Sequence, residues 1–343
     1  MEPLKLLQSF SQDCVKRIPV VVLGSGASVP HGIPGMWPLG QHLAGCPLPL
    51  SCGTDADVQG WEAFLEKLQH TDLESALTDV PITESVTQHI VDSTWTFLNK
   101  ADLDVFYGVV ANRQLLPLTR LYQHLFRSTA TDIHVVTPNY DRLAEYAAEA
   151  GNFCAYTGFN FGNIGQRAQS QAPKIFAAHR RIRTVNVWKV HGSFGWFRDK
   201  DGVVVALPPT HRLPPGMSPV IVTPGTEKYR RTHDEPFRST MQNADDAMRR
   251  ANAFLCIGYG FNDIHLQPLL IERCNAEDIP LVLITKGISP KAHEFFRSGK
   301  CRRYLAIEEL ERGIRYFSNE APDGQELDGE PYWQLEHFLS LVS

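Results

Sequence analysis

Four stretches of the chain hold residue types that can do chemistry: "GSGASVPHGIPGM" (Gly24 to Met36), "TPNYD" (Thr137 to Asp141), "HGS" (His191 to Ser193) and "GYGFNDIH" (Gly258 to His265). Histidine titrates near neutrality, so His191 can take a proton from water or a ribose hydroxyl; it can equally be a satisfied histidine of the core. Asn139 offers a carboxamide able to orient a sugar hydroxyl or a water. Asp141 can accept from a hydroxyl or, standing just before "RLAEY", cap a helix. Small residues from Gly24 to Ser28 let backbone N–H groups approach a phosphate, and a following helix N-terminus favours its negative charge. Gly258 and Gly260 permit the same approach, while Asn262 or Asp263 can cap the next helix. Other chemistries fail on spacing. Val29 stands where the dinucleotide fingerprint needs glycine or alanine, no Walker Gly-Lys-Ser/Thr sequence occurs, and no carboxylate cluster has metal-ligand spacing.

These residues need elements to position them. Short Val- and Ile-rich runs recur: "IPVVVLG" (18–24), "IHVVTP" (133–138), "VNVWKVHG" (185–192), "PVIVTPG" (219–225), "AFLCIGYG" (253–260) and "IPLVLITKG" (279–287). Apolar on successive positions, they suit strands covered on both faces. Helical patterns separate several of them. In "DRLAEYAAEAG", Leu143, Tyr146, Ala147 and Ala150 form one stripe, and Gly151 stands at the C-cap position. Strand, loop, helix, strand predicts an α/β fold with a doubly wound parallel sheet. The polar loops, "TPGTEK" (Thr223 to Lys228) included, are then expected to meet at one sheet edge, where crevices at a topological switch point bind ligands.

The boundaries expected are a core of residues 1–50 and 131–317, a helical insertion of 51–130, and a C-terminal loop and short helix of 318–343. In the insertion, Trp61, Phe64, Leu65 and Leu68 form one stripe and Leu118, Leu121, Tyr122 and Leu125 another. Residues 152–184 read as Gly-rich and then basic and helical.

With 343 residues, 43% hydrophobic, 21% charged and a net charge of -5, the chain reads as a globular protein able to bury a large core. The acidic balance argues against non-specific nucleic-acid binding, although "HRRIR" (His179 to Arg183) and "KYRR" (Lys228 to Arg231) are basic. No run reaches the length of a membrane span and no cleavage pattern opens the chain, so a cytoplasmic location is expected. The seven cysteines are scattered without a Cys-x-x-Cys pair, which gives neither a zinc module nor a disulfide framework.

In this order, "GSGAS…GIP", "TPNYD", "VHGS" and "GYGFNDIH" resemble the sirtuin-like domains, most closely the branch found in prokaryotic antiphage defence systems. The resemblance spans Val20 to Gly287. It implies a Rossmann-like fold binding NAD. Gly24, Ser25, Gly26, Ala27 and Ser28 would surround the pyrophosphate and adjacent ribose, with Ile33 and Pro34 near the nicotinamide. Asn139 and His191 match the family's catalytic asparagine and histidine, and Asp141 matches the aspartate of its nicotinamide pocket. Gly258, Tyr259, Gly260, Phe261, Asn262 and Asp263 would border the adenosine half, and Thr137 is counted with the cofactor-binding residues. Protein-deacylating sirtuins follow Gly-Ile-Pro with Asp-Phe-Arg, where this chain has Gly35, Met36 and Trp37. They also carry a four-cysteine zinc module that is missing here.

The activity expected is therefore an NAD glycohydrolase releasing nicotinamide and ADP-ribose, with no metal, as the NAD-depleting effector of a defence complex. Asn139 would orient the water or the ribose hydroxyls and His191 would accept the proton. The alternatives are an NAD-dependent protein deacylase and a catalytically silent NAD or ADP-ribose-binding assembly subunit. A toxic hydrolase in the cytosol is further expected to be a controlled homo-oligomer, with the insertion as the candidate interface, and the resemblance implies a separate regulatory chain such as a HerA-like ATPase or a short Argonaute.

Overall fold

The structure, a computed structural model, describes residues 2–168, 173–223, 234–263, 266–276 and 278–342. Helix α1 (Pro3–Lys16) leads into β1 (Val20–Leu23), two 3-10 turns and α2 (Met36–Ala44). Four helices follow: α3 (Asp55–Leu68), α4 (Leu73–Asp79), α5 (Glu84–Ala111) and α6 (Pro117–Leu125). Then come β2 (Asp132–Thr137), α7 (Leu143–Ala150), β3 (Cys154–Tyr156), β4 (Gly165–Gln166), β5 (Phe176–Ala177), β6 (Arg180–Arg181), β7 (Thr184–Lys189), β8 (Gly192–Arg198), β9 (Val204–Ala206) and β10 (Ser218–Ile221). The chain continues through α8 (Phe237–Arg249), β11 (Phe254–Ile257), α9 (Gln267–Ala276), β12 (Leu281–Ile284) and α10 (Pro290–Arg297). It ends in β13 (Tyr304–Leu310), β14 (Gly313–Ser318), β15 (Gln325–Asp328) and α11 (Leu335–Val342).

Nine strands form the main sheet in the order β15-β14-β13-β12-β11-β1-β2-β7-β3, parallel from β13 to β3 and antiparallel at the β13-β14-β15 edge. It is a doubly wound α/β sheet, and β1 shows why. Val21 and Leu23 face a core shared with α1, α6, α7 and α11, whereas Val20 and Val22 face one shared with α8, α9 and α10. Both faces being apolar, every residue of "VVVL" is buried, each contributing roughly 1.5–3 kcal/mol. The sequence order β1, β2, then β11 on the other side of β1 makes β1 the switch point.

A third core joins α2, α3, α4 and the first half of α5 to Phe194 and Phe197 of β8. Of the two stripes in residues 51–130, Trp61, Phe64, Leu65 and Leu68 belong to this core, while Leu118, Leu121, Tyr122 and Leu125 of α6 face the main sheet. Asp57 joins two helix starts here. Its carboxylate accepts from the Thr54 N–H in a capping box and from the hydroxyls of Thr83 and Ser85, at 3.1, 2.5 and 2.6 Å. The hydroxyls of Ser85 and Thr83 hold its pKa well below the carboxylate range. A lowered folded pKa contributes stability that is full above about pH 4 and disappears as pH falls. Asp57→Asn is therefore expected to bring wild type and variant closer in stability as pH drops from 6 to 3, as read by urea midpoints across that range.

Three expectations are corrected. "PVIVTPG" supplies β10, which pairs antiparallel with β8 in a separate four-stranded sheet, β10-β8-β9-β4, so the loop after it does not leave the parallel sheet. The reason lies at Gly192: with φ of 93° the chain turns straight from β7 into β8, and a Cβ there would stand 2.1 Å from the Val220 carbonyl oxygen. Residues 224–233, with most of "TPGTEK" and all of "KYRR", lie outside the described residues. The basic end of residues 152–184 is a hairpin, β5-β6, rather than a helix; Ala178 and His179 both take positive φ, 46° and 68°, as a two-residue primed turn requires. The C-terminal "loop" contains β15, whose polar sequence lacks the apolar run of an inner strand because it lies at the sheet edge. No described helix is long and apolar enough to cross a membrane.

Candidate functional site

A cleft of about 440 Å³ runs along the C-terminal ends of the central parallel strands. Its walls come from the loops after β1, β2, β7, β11 and β12, and from α2, α4 and α5 through Leu39, Glu74 and Leu98. From β7 to β12 it crosses four inter-strand steps, about 19 Å. Such a length suits two nucleotides joined end to end.

The first wall is built by two loops in direct contact. Gly26 N–H donates to the Gly258 carbonyl at 3.1 Å, and Gly258 has φ of 57°. A Cβ on Gly258 would stand 2.3 Å from the Ala27 nitrogen, and one on Gly24 would stand 2.2 Å from the Gly258 oxygen. These glycines therefore permit loop against loop. The N–H groups of Gly24, Gly26, Ala27 and Ser28 are already spent on Ile257, Gly258, Gly24 and Ser25 carbonyls, so the approach to a phosphate expected of them is not their first use. Gly258→Ala is expected to cost at least about 2 kcal/mol of stability, by overpacking and by a left-handed backbone, measured by denaturant unfolding.

The second wall carries Asn139. Thr137 fixes its place: the threonine hydroxyl donates to the Leu23 carbonyl at 2.9 Å and accepts from the Asn139 N–H at 3.0 Å. The Asn139 amide nitrogen donates to the Gly24 carbonyl at 2.8 Å and to Ser28 Oγ at 3.1 Å. With both donors used across the β1 loop, the carboxamide oxygen is the group left to orient a water or hydroxyl. Asp141 does both things its type allows. Its carboxylate accepts from Ser28 Oγ at 2.7 Å and from the Leu143 N–H at 3.2 Å, at the start of α7. Burial pushes the Asp141 carboxyl up, opposed by the Lys189 ammonium. That ammonium is fully buried; it donates to the Asp141 carbonyl and lies 3.4 Å from Glu145.

Behind this loop stands a buried ion pair. Asp102 of α5 accepts from the Arg142 N–H at 2.7 Å, Arg142 Nε at 2.8 Å and the Tyr146 hydroxyl at 2.6 Å, and Asn99 accepts from Arg142 Nη2 at 2.9 Å. The helix α5 thus fixes the residue that follows Asp141.

His191 follows β7 and is 6% exposed, on the cleft wall. Its Nε2 lies 3.0 Å from Asp263 Oδ2, off the line of a good hydrogen bond. Asp263 also accepts from the Leu266 N–H at 3.2 Å, as a cap before α9. The pairing of Asp263 with His191 is the contact that residue types alone missed, because it joins loops distant in sequence; the one signal was a carboxylate and a histidine at two strand ends of one sheet. Gly24, Ser25, Gly26, Ser28, Ile33, Pro34, Asn139, Asp141, His191, Gly258, Tyr259, Gly260, Asn262 and Asp263 line the cleft together. Ala27, Thr137 and Phe261 stand behind it: Thr137 is 2% exposed, and Phe261 is fully buried against Phe295 and Phe296. His265, the end of "GYGFNDIH", lies outside the described residues. Among the described residues no group of three or more His, Cys, Asp or Glu side chains is placed to hold a metal ion.

Residues 133–290 match the model of the SIR2-like domain family. None of the curated proteins matches the chain. Among solved structures the chain is similar to a Sir2 homologue mutant in complex with ADP-ribose, at 14% identity and a TM-score of 0.44 over 85% of this chain and 88% of that one. It is similar likewise to a Sir2 homologue mutant in complex with 2′-O-acetyl ADP-ribose, at 14% identity and 0.44 over 85% and 88%. Sir2 bound to an acetylated peptide gives 14% identity and 0.41 over 84% and 89%. The family match takes in three of the four motifs and the strands whose ends carry them.

Proposed function

We propose that the chain is an NAD glycohydrolase. The observation that carries this reading is that one elongated cleft holds both the Asn139 carboxamide and the His191 imidazole, with helices α2, α4 and α5 contributing to its wall. Nicotinamide is a neutral leaving group, so cleavage needs no general acid; the barrier is set by an oxocarbenium-like ribose. The bond from C1′ to the pyridine nitrogen breaks and its electron pair leaves with nicotinamide. The oxygen of a water, held by the Asn139 carboxamide oxygen, bonds to C1′, and the water proton passes to His191. Asp263, beside the ring, offsets the charge that it acquires. The products are nicotinamide and ADP-ribose.

Deacylation is the less supported reading, because Gly35, Met36 and Trp37 replace the Asp-Phe-Arg that the resemblance leads one to expect. The role of NAD-depleting effector in a defence complex, as a homo-oligomer governed by a separate chain such as a HerA-like ATPase or a short Argonaute, rests on the resemblance of the four motifs. The test is product analysis with NAD, with and without an acetyl-lysine peptide. Equal nicotinamide and ADP-ribose release independent of the peptide supports the hydrolase; release only with the peptide overturns it in favour of deacylation. ADP-ribose binding with no turnover in either, also with the partner ATPase present, favours the silent subunit.

A further inference from the structure

We propose that the β12 end of the cleft is a phosphate subsite, and that Lys286 there selects the 2′-phosphorylated dinucleotide, NADP, over NAD. The inference rests on the reading of the cleft as a dinucleotide site. Asn139 and His191 stand at the ends of β2 and β7, so the scissile N-glycosidic bond belongs there. A ligand stretched along the strand ends then places its adenosine ribose towards β12. In dinucleotide-binding α/β sheets a carboxylate accepts from the ribose 2′-hydroxyl, whereas a cation takes a 2′-phosphate. Here the β12 end carries Thr285, Lys286 and Gly287, all on the cleft wall.

The turn that presents Lys286 is anchored. Its carbonyl accepts from the Glu309 N–H at 3.1 Å, the Thr285 hydroxyl donates to the Gly287 carbonyl at 3.3 Å, and Ser289 Oγ donates to the Gly260 carbonyl at 2.5 Å, across to the β11 loop. The ammonium itself is loosely held: Nζ lies 3.7 Å from Glu309 Oε2, with the two side chains 76% and 40% exposed. Surface pairs of that kind contribute little, so a dianionic phosphate competes well for the lysine. Of the two nearby carboxylates, Glu308 is occupied by the Ile288 N–H at 2.9 Å. Glu309 is not part of the cleft wall, which leaves the Lys286 ammonium as the charge this turn presents to a ligand.

The test is calorimetric titration of the full chain with 2′-phospho-ADP-ribose and with ADP-ribose, on wild type, Lys286→Gln and Lys286→Glu. Expected is tighter binding of the phosphorylated ligand by wild type, by about tenfold at low salt and less at high salt, since one charge-assisted contact is at stake. The ratio should fall to about one in Lys286→Gln and invert in Lys286→Glu. Equal or weaker binding of the phosphorylated ligand by wild type, or a ratio that Lys286→Gln leaves in place, overturns the proposal while the dinucleotide reading stands. Binding of neither ligand overturns both.

Discussion

His191→Ala is expected to lower nicotinamide release from NAD by roughly 10²–10⁴-fold, the usual contribution of a positioned general base. The fall should be in kcat, with KM little changed, because in the proposed reaction the imidazole acts on a proton that moves in the transition state rather than on bound substrate. Asn139→Ala should lose about 10²–10³-fold, as for a removed polar group that orients a reacting atom. Asp263→Asn keeps the shape beside Nε2 and removes the charge, and a loss of about tenfold in kcat is expected. Steady-state kinetics with product quantification reads all three. Wild-type turnover by His191→Ala would remove the base from the mechanism.

The second large effect is on stability. Asp102 is fully buried and accepts from a main-chain N–H, a guanidinium and a phenol. Asp102→Ala leaves the buried Arg142 guanidinium charged with its ion-pair partner removed, and about 3–5 kcal/mol should be lost. Arg142→Met in the same chain removes the stranded charge, so the double variant is expected to lose less than the sum of the two single changes. Urea unfolding of the four proteins measures both. Additive losses would show that the pair is not coupled. Because Arg142 follows Asp141, the single variant should also loosen the loop that holds Asn139.

How far the chain could be read in advance follows from where its information is local. The buried strands announced themselves: "VVVL" has no polar position because both its faces are covered, and the polar loops that follow β1, β2, β7 and β11 sit where strand ends must lie. What failed was partner choice. "PVIVTPG" has the composition of an inner strand, yet the sharp turn at Gly192 sends β8 away from the main sheet and β10 follows it. Edge strands were illegible for the opposite reason, since Gln325–Asp328 offers one apolar side chain, Leu327, among three polar ones. At the site, residue types at the strand ends pointed to Asn139, Asp141 and His191. The contacts that hold them, Asp263 beside His191, Ser28 between Asn139 and Asp141, and Asp102 on Arg142, join residues far apart in sequence. No pattern of spacing encodes such pairs; they exist only once the strands are side by side.

The two margins of the main sheet bear on how copies of this chain behave when concentrated. At one margin β3 is three residues long. At the other, β15 carries Glu326 and Asp328 and is followed by Glu330 and Pro331. An unpaired strand normally invites a second strand to zip onto it, but here two identical margins would bring like charges together, and the proline has no N–H to give. Both margins of the main sheet are thus guarded against extension by a second copy.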